Sequence, residues 1–333
     1  MLSINIKAKR KSTNMAYTAI AKNAITLSLF VGLMACQAAT EPSPPSPPIN
    51  EMKIAHLSTE DASSFEAIRS TFADRNPGYD MAYHKDQKTL PKAEAPWVVF
   101  IQEGGGTATI NGENSSKFSV GDILMLQEGD QVETDSLFSA LVFTVPEIAP
   151  DNIPAFVRPD WDMNITDTPG GCATETNAYR RILLTWLDKV GPYSFHAINA
   201  HRVRIMDSFS HYHPVEGGFD EFYLVQMVLP DAKILTSSQV DLIENPAKIA
   251  QGQAQGLIQS TPLQVGDLVY LPRGTMHRGV GGVLAQVITV PGFVPGSEIG
   301  VDHHLKKIND LLSLKGEEAL PFNQAASTTA VIK

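Results

Sequence analysis

At 333 residues the chain exceeds one typical domain of about 150 residues, and a hydrophobic content of 43% excludes a disordered protein and fits soluble globular units, not a polytopic membrane protein. Its 36 acidic and 26 basic residues give a net charge of -10, and no basic cluster follows residue 50. An acidic surface repels phosphate backbones, so no nucleic-acid partner is expected.

The chain opens with a basic segment, Lys7, Lys9, Arg10, Lys11 and Lys22, that contains no acid, followed by the apolar run AITLSLFVGLMA over residues 24–35. Charged-then-apolar order is that of an export signal, and the run falls short of the roughly 20 residues a spanning helix needs. Leu33-Met34-Ala35-Cys36 resembles the bacterial lipobox. That resemblance implies lipidation at Cys36, anchoring in the bacterial cell envelope and, because Gln37 rather than Asp follows, an outer-membrane position facing the periplasm. Met15 begins a complete signal of its own, so Met1 and Met15 both stand as initiators. Residues 1–35 are read as signal peptide and 36–50 as a Pro- and Ser-rich linker, stiff and extended. Cys172 is the only other cysteine, so no intramolecular disulfide forms once Cys36 carries lipid.

Downstream, Ala62, Phe65, Ile68 and Phe72 have helical spacing, with Ser58 and Asp61 as candidate caps. From Trp97 the texture changes to short apolar runs, WVVFI, TATI, ILML and LFSALVFTV, broken by Gly and Asn, and Asn111-Gly112 is a hairpin signal. Residues 51–150 are read as one barrel. A Pro- and Gly-rich stretch over 149–174 marks a boundary, so 151–200 is read as a connector with the first strands of a second barrel. RRILLTWL fits a strand or a helix. HRVRIM, EFYLVQMVL, KILTS, DLVYLP and LAQVITV read as strands of the second barrel, 201–315, closed by a helix over 301–314 through Leu305, Ile308, Leu311 and Leu312. Residues 316–333 are read as a tail.

Two stretches repeat one pattern: Gly121-Asp122 and Gly266-Asp267 each open an apolar strand, ILML and LVYL. Strands dominate both halves, so the fold class is all-β, with a few short flanking helices.

His211-Tyr212-His213 carries the chemistry. Residues two apart on a strand project to one face, so both imidazoles point the same way, and with Glu221 and the distant His277 they form a donor set suited to one divalent transition metal, Fe, Mn, Ni, Cu or Zn. Gly266, Pro272, Gly274 and His277 follow the G-x5-P-x-G-x2-H motif of the cupin superfamily, with Gly281 where the family has Asn. The HxH motif is looser, with seven residues before Glu221 and with Ile205 and Val228 at common Gly positions. On these residues the chain resembles two-barrel cupins, an architecture shared by oxalate decarboxylases and quercetin dioxygenases. The resemblance implies two double-stranded β-helix barrels and metal ligation by His211, His213, Glu221 and His277. Glu216 is a rival to Glu221, which is preferred because it opens the strand EFYLV. In the first barrel Gln127 replaces Pro, Val132 replaces His and no HxH precedes, so that barrel is read as degenerate and metal-free.

Arg202, Arg204, Tyr223, Gln226 and Arg273 lie on or beside the motif strands as candidate substrate ligands, half of which alternation turns outward. His84, His196, His201, His303 and His304 read as core or solvated side chains. Gly104-Gly105-Gly106 lacks the helix and Lys of a phosphate loop and reads as a strand turn. The expected function is a metal-dependent enzyme on a small oxygen-rich metabolite, of dioxygenase, isomerase, lyase or decarboxylase type, with no catalytic residue assigned. A non-catalytic binder of a sugar, organic acid or metal ion is the alternative, and an assembly role at the membrane, with both barrels as interaction surfaces, is a third reading. The expected partners are a small-molecule ligand, the membrane through the lipid anchor, and further copies of the chain in a homo-oligomer.

Overall fold

The computed structural model describes residues 50–59, 62–170, 179–187 and 189–333. The export signal, Cys36, the linker as far as residue 49, the candidate cap Asp61 and Cys172 lie outside the described residues. Among the described residues no helix is long and apolar enough to cross a membrane.

The first part of the chain runs β1 (Lys53–His56), helix α1 (Ala62–Arg75), β2 (Asp80–Thr89), β3 (Trp97–Ile110), β4 (Asn114–Ser119), β5 (Ile123–Leu126), β6 (Val132–Thr144) and β7 (Phe156–Val157). Strands β2 to β7 form one antiparallel sheet in the order β2-β6-β3-β5-β7, with β4 on β3. Asn111 and Gly112 both have positive φ and make the tight β3–β4 turn expected of that pair. The connector stretch contributes β7, which pairs with β5.

The second part runs β8 (Arg180–Leu184), β9 (Asn199–Asp207), β10 (His211–Tyr212), β11 (Asp220–Val228), β12 (Lys233–Ser237), the short helices α2 (Val240–Glu244) and α3 (Gln251–Ala254), β13 (Gln259–Pro262), β14 (Asp267–Leu271), β15 (Met276–Val290), β16 (Ile299–Gly300) and helix α4 (Asp302–Leu312). RRILLTWL is therefore a strand at its start. The chain is all-β, two antiparallel sheets with short flanking helices, as expected. The sequence boundary at 150 does not follow the sheets, because β1 pairs with β14 and so extends the second.

Alternation along each strand sorts its side chains into separate cores. On β3, Val99 and Ile101 face a core inside the first barrel, while Val98 and Phe100 face a core shared with the second. On β11, Tyr223 and Val225 face the interior of the second barrel, while Phe222 and Leu224 join the shared core. Burial on both faces explains why these strands read as unbroken apolar runs. Phe72 from α1 sits at the centre of the shared core, with edge-on rings from Phe143 at 5.7 Å and Phe222 at 5.2 Å.

The repeated Gly-Asp pattern corresponds to a repeated turn. Asp122 accepts from the Ser119 amide at 2.8 Å and Asp267 from the Gln264 amide at 2.7 Å, each after a glycine of positive φ. Strand β15 is the spine of the second barrel: it pairs with β10 and β12 near its start and with β9 and β11 beyond a bulge at 280–283. Gly281 occupies that bulge at φ 81°, and a Cβ there would overlap the Asp231 carbonyl, which explains a glycine where the resemblance leads one to expect Asn.

Candidate metal centre

Strand β10 lies against the start of β15 with His211 opposite His277, and β11 begins one strand away with Glu221 opposite Thr289. These registers gather four residues that are distant in sequence. One donor atom from each of His211, His213, Glu221 and His277 lies within 4.8 Å of the others. Glu221 Oε1 is 3.2 Å from His277 Nε2, and Oε2 is 3.7 Å from His213 Nε2. All four side chains are buried, none more than 2% exposed.

The orientation of the imidazoles follows from what each Nδ1 meets. His211 Nδ1 lies 3.1 Å from the Phe209 carbonyl and His277 Nδ1 3.2 Å from the Thr275 carbonyl. A carbonyl only accepts, so Nδ1 carries the proton and donates, which leaves Nε2 with a lone pair. Nε2 of His211, His213 and His277 and Oε1 of Glu221 are buried without a hydrogen-bond partner. Four unpartnered polar atoms gathered in one buried group are costly unless a cation joins them. Burial, and then repulsion from His277, pushes the pKa values of His211 and His213 well below the ordinary value, so both rings are neutral, the form that binds metal. The donor set therefore fits one metal ion. Phe209 stacks on His211 at 4.4 Å and Phe219 lies over His213 at 3.9 Å, making an apolar wall round the donors.

A small cavity of about 130 Å³ opens beside Glu221, lined among others by Arg180, His201, Thr289, Glu298 and Lys333. His201 Nε2 and Thr289 Oγ1 are buried in it with no partner. Burial, and then Arg180, pushes the His201 pKa well below its ordinary value and keeps that ring neutral. Burial, and then the Glu221 carboxylate, pushes Glu298 up to about 7, so near neutral pH its side chain is held partly as an acid.

Of the five candidate substrate ligands, only Tyr223 reaches the cluster, its ring edge-on to His277 at 6.3 Å. Arg202 and Gln226 face the other way: Arg202 Nε donates to Gln226 Oε1 at 2.8 Å, and Gln226 Nε2 donates to Gln286 Oε1 at 3.0 Å. Gln286 in turn donates to the Gly121 carbonyl at 2.8 Å, tying the two barrels together. Arg204 is exposed beside a separate apolar groove with Met227 and Leu229. Arg273 binds the buried Asp220 carboxylate at 3.0 Å. Glu216 is exposed in the turn before β11, and Glu221 alone of the two joins the cluster.

Sequence reasoning missed the cavity residues. His201 carried a signal, since alternation on β9 sets it on the same face as the core residues Val203 and Ile205. Glu298 and Lys333 had none, as they come from irregular chain far from any motif.

No family model matches the chain, and no curated protein matches it. Among solved structures it is similar to an oxalate decarboxylase at 12% identity and a TM-score of 0.42, over 75% of this chain and 76% of that one. Procruciferin, the 11S globulin of Brassica napus, is similar at 9% identity and a TM-score of 0.45, over 82% of this chain and 94% of that one. A cupin 2 conserved barrel domain protein from Leptotrichia buccalis is similar at 11% identity and a TM-score of 0.36, over 64% and 84%.

Proposed function

We propose that this chain is a metal-dependent, cupin-like enzyme with one mononuclear centre, acting on a small oxygen-rich metabolite. The observation that carries the reading is the gathering of His211, His213, Glu221 and His277 into one buried group with donor atoms within 4.8 Å of one another, the histidine Nε2 atoms and Glu221 Oε1 unpartnered, and with Glu221 also lining a small cavity. A divalent transition ion held there by His211, His213, Glu221 and His277 would supply Lewis acidity toward an oxygen-bearing substrate. The chain's own residues do the rest. His211, His213 and His277 present fixed lone pairs, Phe209 and Phe219 exclude water from the donors, and Glu298 holds a proton at its carboxyl within the same cavity.

A pure binding protein needs no acid beside its metal. Glu298 favours turnover over capture, because its carboxyl can exchange a proton with a ligand in the cavity, which the neutral His201 also lines. Export and lipid attachment at Cys36, with the body held on the bacterial outer membrane facing the periplasm, belong to the same proposal, and the support for them is the basic, apolar and Leu33-Met34-Ala35-Cys36 sequence order.

Metal analysis of the purified protein beside a His211→Ala/His213→Ala variant tests the core of the reading. Near-stoichiometric metal in the parent and its loss in the variant are expected. A parent that stays metal-free after reconstitution with Fe(II), Mn, Ni, Cu and Zn overturns it.

A further inference from the structure

The segment 331–333 returns across the second barrel and completes its cavity. Ile332 bridges Ile299 on β16, and the Gly300 amide donates to the Val331 carbonyl at 2.7 Å. Both the Gly296 and Glu298 amides donate to the Lys333 carbonyl, at 2.9 and 3.1 Å, and the Lys333 amide donates back to the Glu298 carbonyl at 3.1 Å. Backbone pairing on this scale fixes where the Lys333 side chain starts. Its Nζ then lies 4.5 Å from the centre of the Phe209 ring, which also stacks on the imidazole of His211. The cation thus stands beside the metal cluster.

Arg180 lines the same cavity from β8, whose pairing with β9 sets Ile182 opposite His201. The described ionisable groups of the wall are then Arg180, Lys333, His201, Glu298 and Glu221. Arg180 and Lys333 thus bring two cations to the described wall beside the Glu298 carboxyl, and a bound divalent ion would add further positive charge. Asn199, His201 and Thr289 supply neutral polar groups around them. Such a lining favours an anion with additional oxygens over a neutral polyol of the same size, and about 130 Å³ limits the ligand to a small one.

We propose that the segment 331–333 is a wall of the substrate cavity, and that Lys333 on it acts with Arg180 to select a small organic anion, holding its carboxylate beside the metal centre. This rests on the metal-enzyme reading for its chemistry but not for the two cations, which belong to the chain.

Titration calorimetry of the full chain, metal-loaded and metal-free, with glycolate, lactate and pyruvate, and with propane-1,2-diol as the neutral control, tests the proposal. At least one of the three acids is expected to bind at least tenfold more tightly than the diol, with Lys333→Gln and Arg180→Gln each weakening it roughly tenfold or more while metal content stays at the parental level. Lys333→Arg should retain binding. Arg180 also donates to the Thr168 carbonyl at 3.2 Å, so if its variant fails to fold, the Lys333→Gln result decides. Equal affinity for acids and diol, no detectable binding of any of the three acids, or an unchanged Lys333→Gln variant overturns the anion assignment. Loss of the metal reading shows separately, as absent metal in the loaded sample, and the metal-free titrations still report on the cations.

Discussion

The imidazoles of His211 and His277 are each aimed by the carbonyl two residues before them, Phe209 and Thr275, so these two donors need no rearrangement to face the cluster. Glu221 supplies the single negative charge among them. Glu221→Gln keeps the shape but removes that charge, and is expected to lower metal affinity at least tenfold; Glu216→Gln, in the exposed turn, should leave affinity unchanged. Equal metal affinities of both variants and the parent, measured by chelator competition, would show that the carboxylate does not ligate. Glu298 gives a second test in the metal-free protein. Its pKa is raised to about 7 in the folded state, so unfolded chains lose this proton first and stability falls as pH rises from the ordinary carboxyl value of 4.5 to about 7. Glu298→Gln removes that penalty, so its stability relative to the parent should grow by up to about 3 kcal/mol between pH 4 and pH 8, read from urea unfolding. A pH-independent difference would place Glu298 in solvent. At this scale the four donors are legible because a two-residue strand period and a spaced motif name them. Glu298 is not, since nothing in the residues around it says that it will be buried.

Strands are legible where both faces are buried and the whole segment is apolar, as in β3 and β11. They are less so where a partner decides the conformation. RRILLTWL fits two periods on paper, and pairing of Arg180–Leu184 with β9 settles it as a strand. The segment 331–333 reads as tail because its attachment runs through backbone groups, which leave no side-chain pattern. Gly300 carries that attachment: a Cβ on it would lie 3.0 Å from both the Val331 Cβ and the Val331 carbonyl oxygen. Gly300→Val is therefore expected to lift 331–333 off β16 and to weaken binding of any anion that needs Lys333. Limited proteolysis followed by mass spectrometry should find faster cleavage within 323–333 in the variant; unchanged cleavage would mean that the segment adapts and that its wall role does not depend on this contact.

The two sheets are not independent bodies, and the reason is the face each turns to the other. Phe72, Phe143, Phe222 and Tyr270 come from α1, β6, β11 and β14 and meet in one core, with Phe222 and Tyr270 stacked at 4.9 Å. Phe222 is the residue after Glu221 and points away from the metal cluster, so the shared core and the donor set are opposite faces of one strand. Asp220, on the other side of Glu221, is clamped across the same boundary, accepting from Asn76 Nδ2 at 2.7 Å, from Tyr270 Oη at 2.9 Å and from the Arg273 amide at 2.8 Å. The first sheet and α1 thereby hold the strand that presents Glu221. Phe222→Ala should cost about 3–5 kcal/mol of stability, as deletion of a large buried ring does. A chain restricted to 161–333 loses β1, Asn76 and half of the shared core together. It is expected to aggregate or to show no cooperative thermal transition, and to bind metal far below stoichiometry even when it stays soluble. A monomeric, cooperative, metal-binding 161–333 fragment would show instead that the second barrel builds its centre alone, and would reduce the first barrel to a passenger.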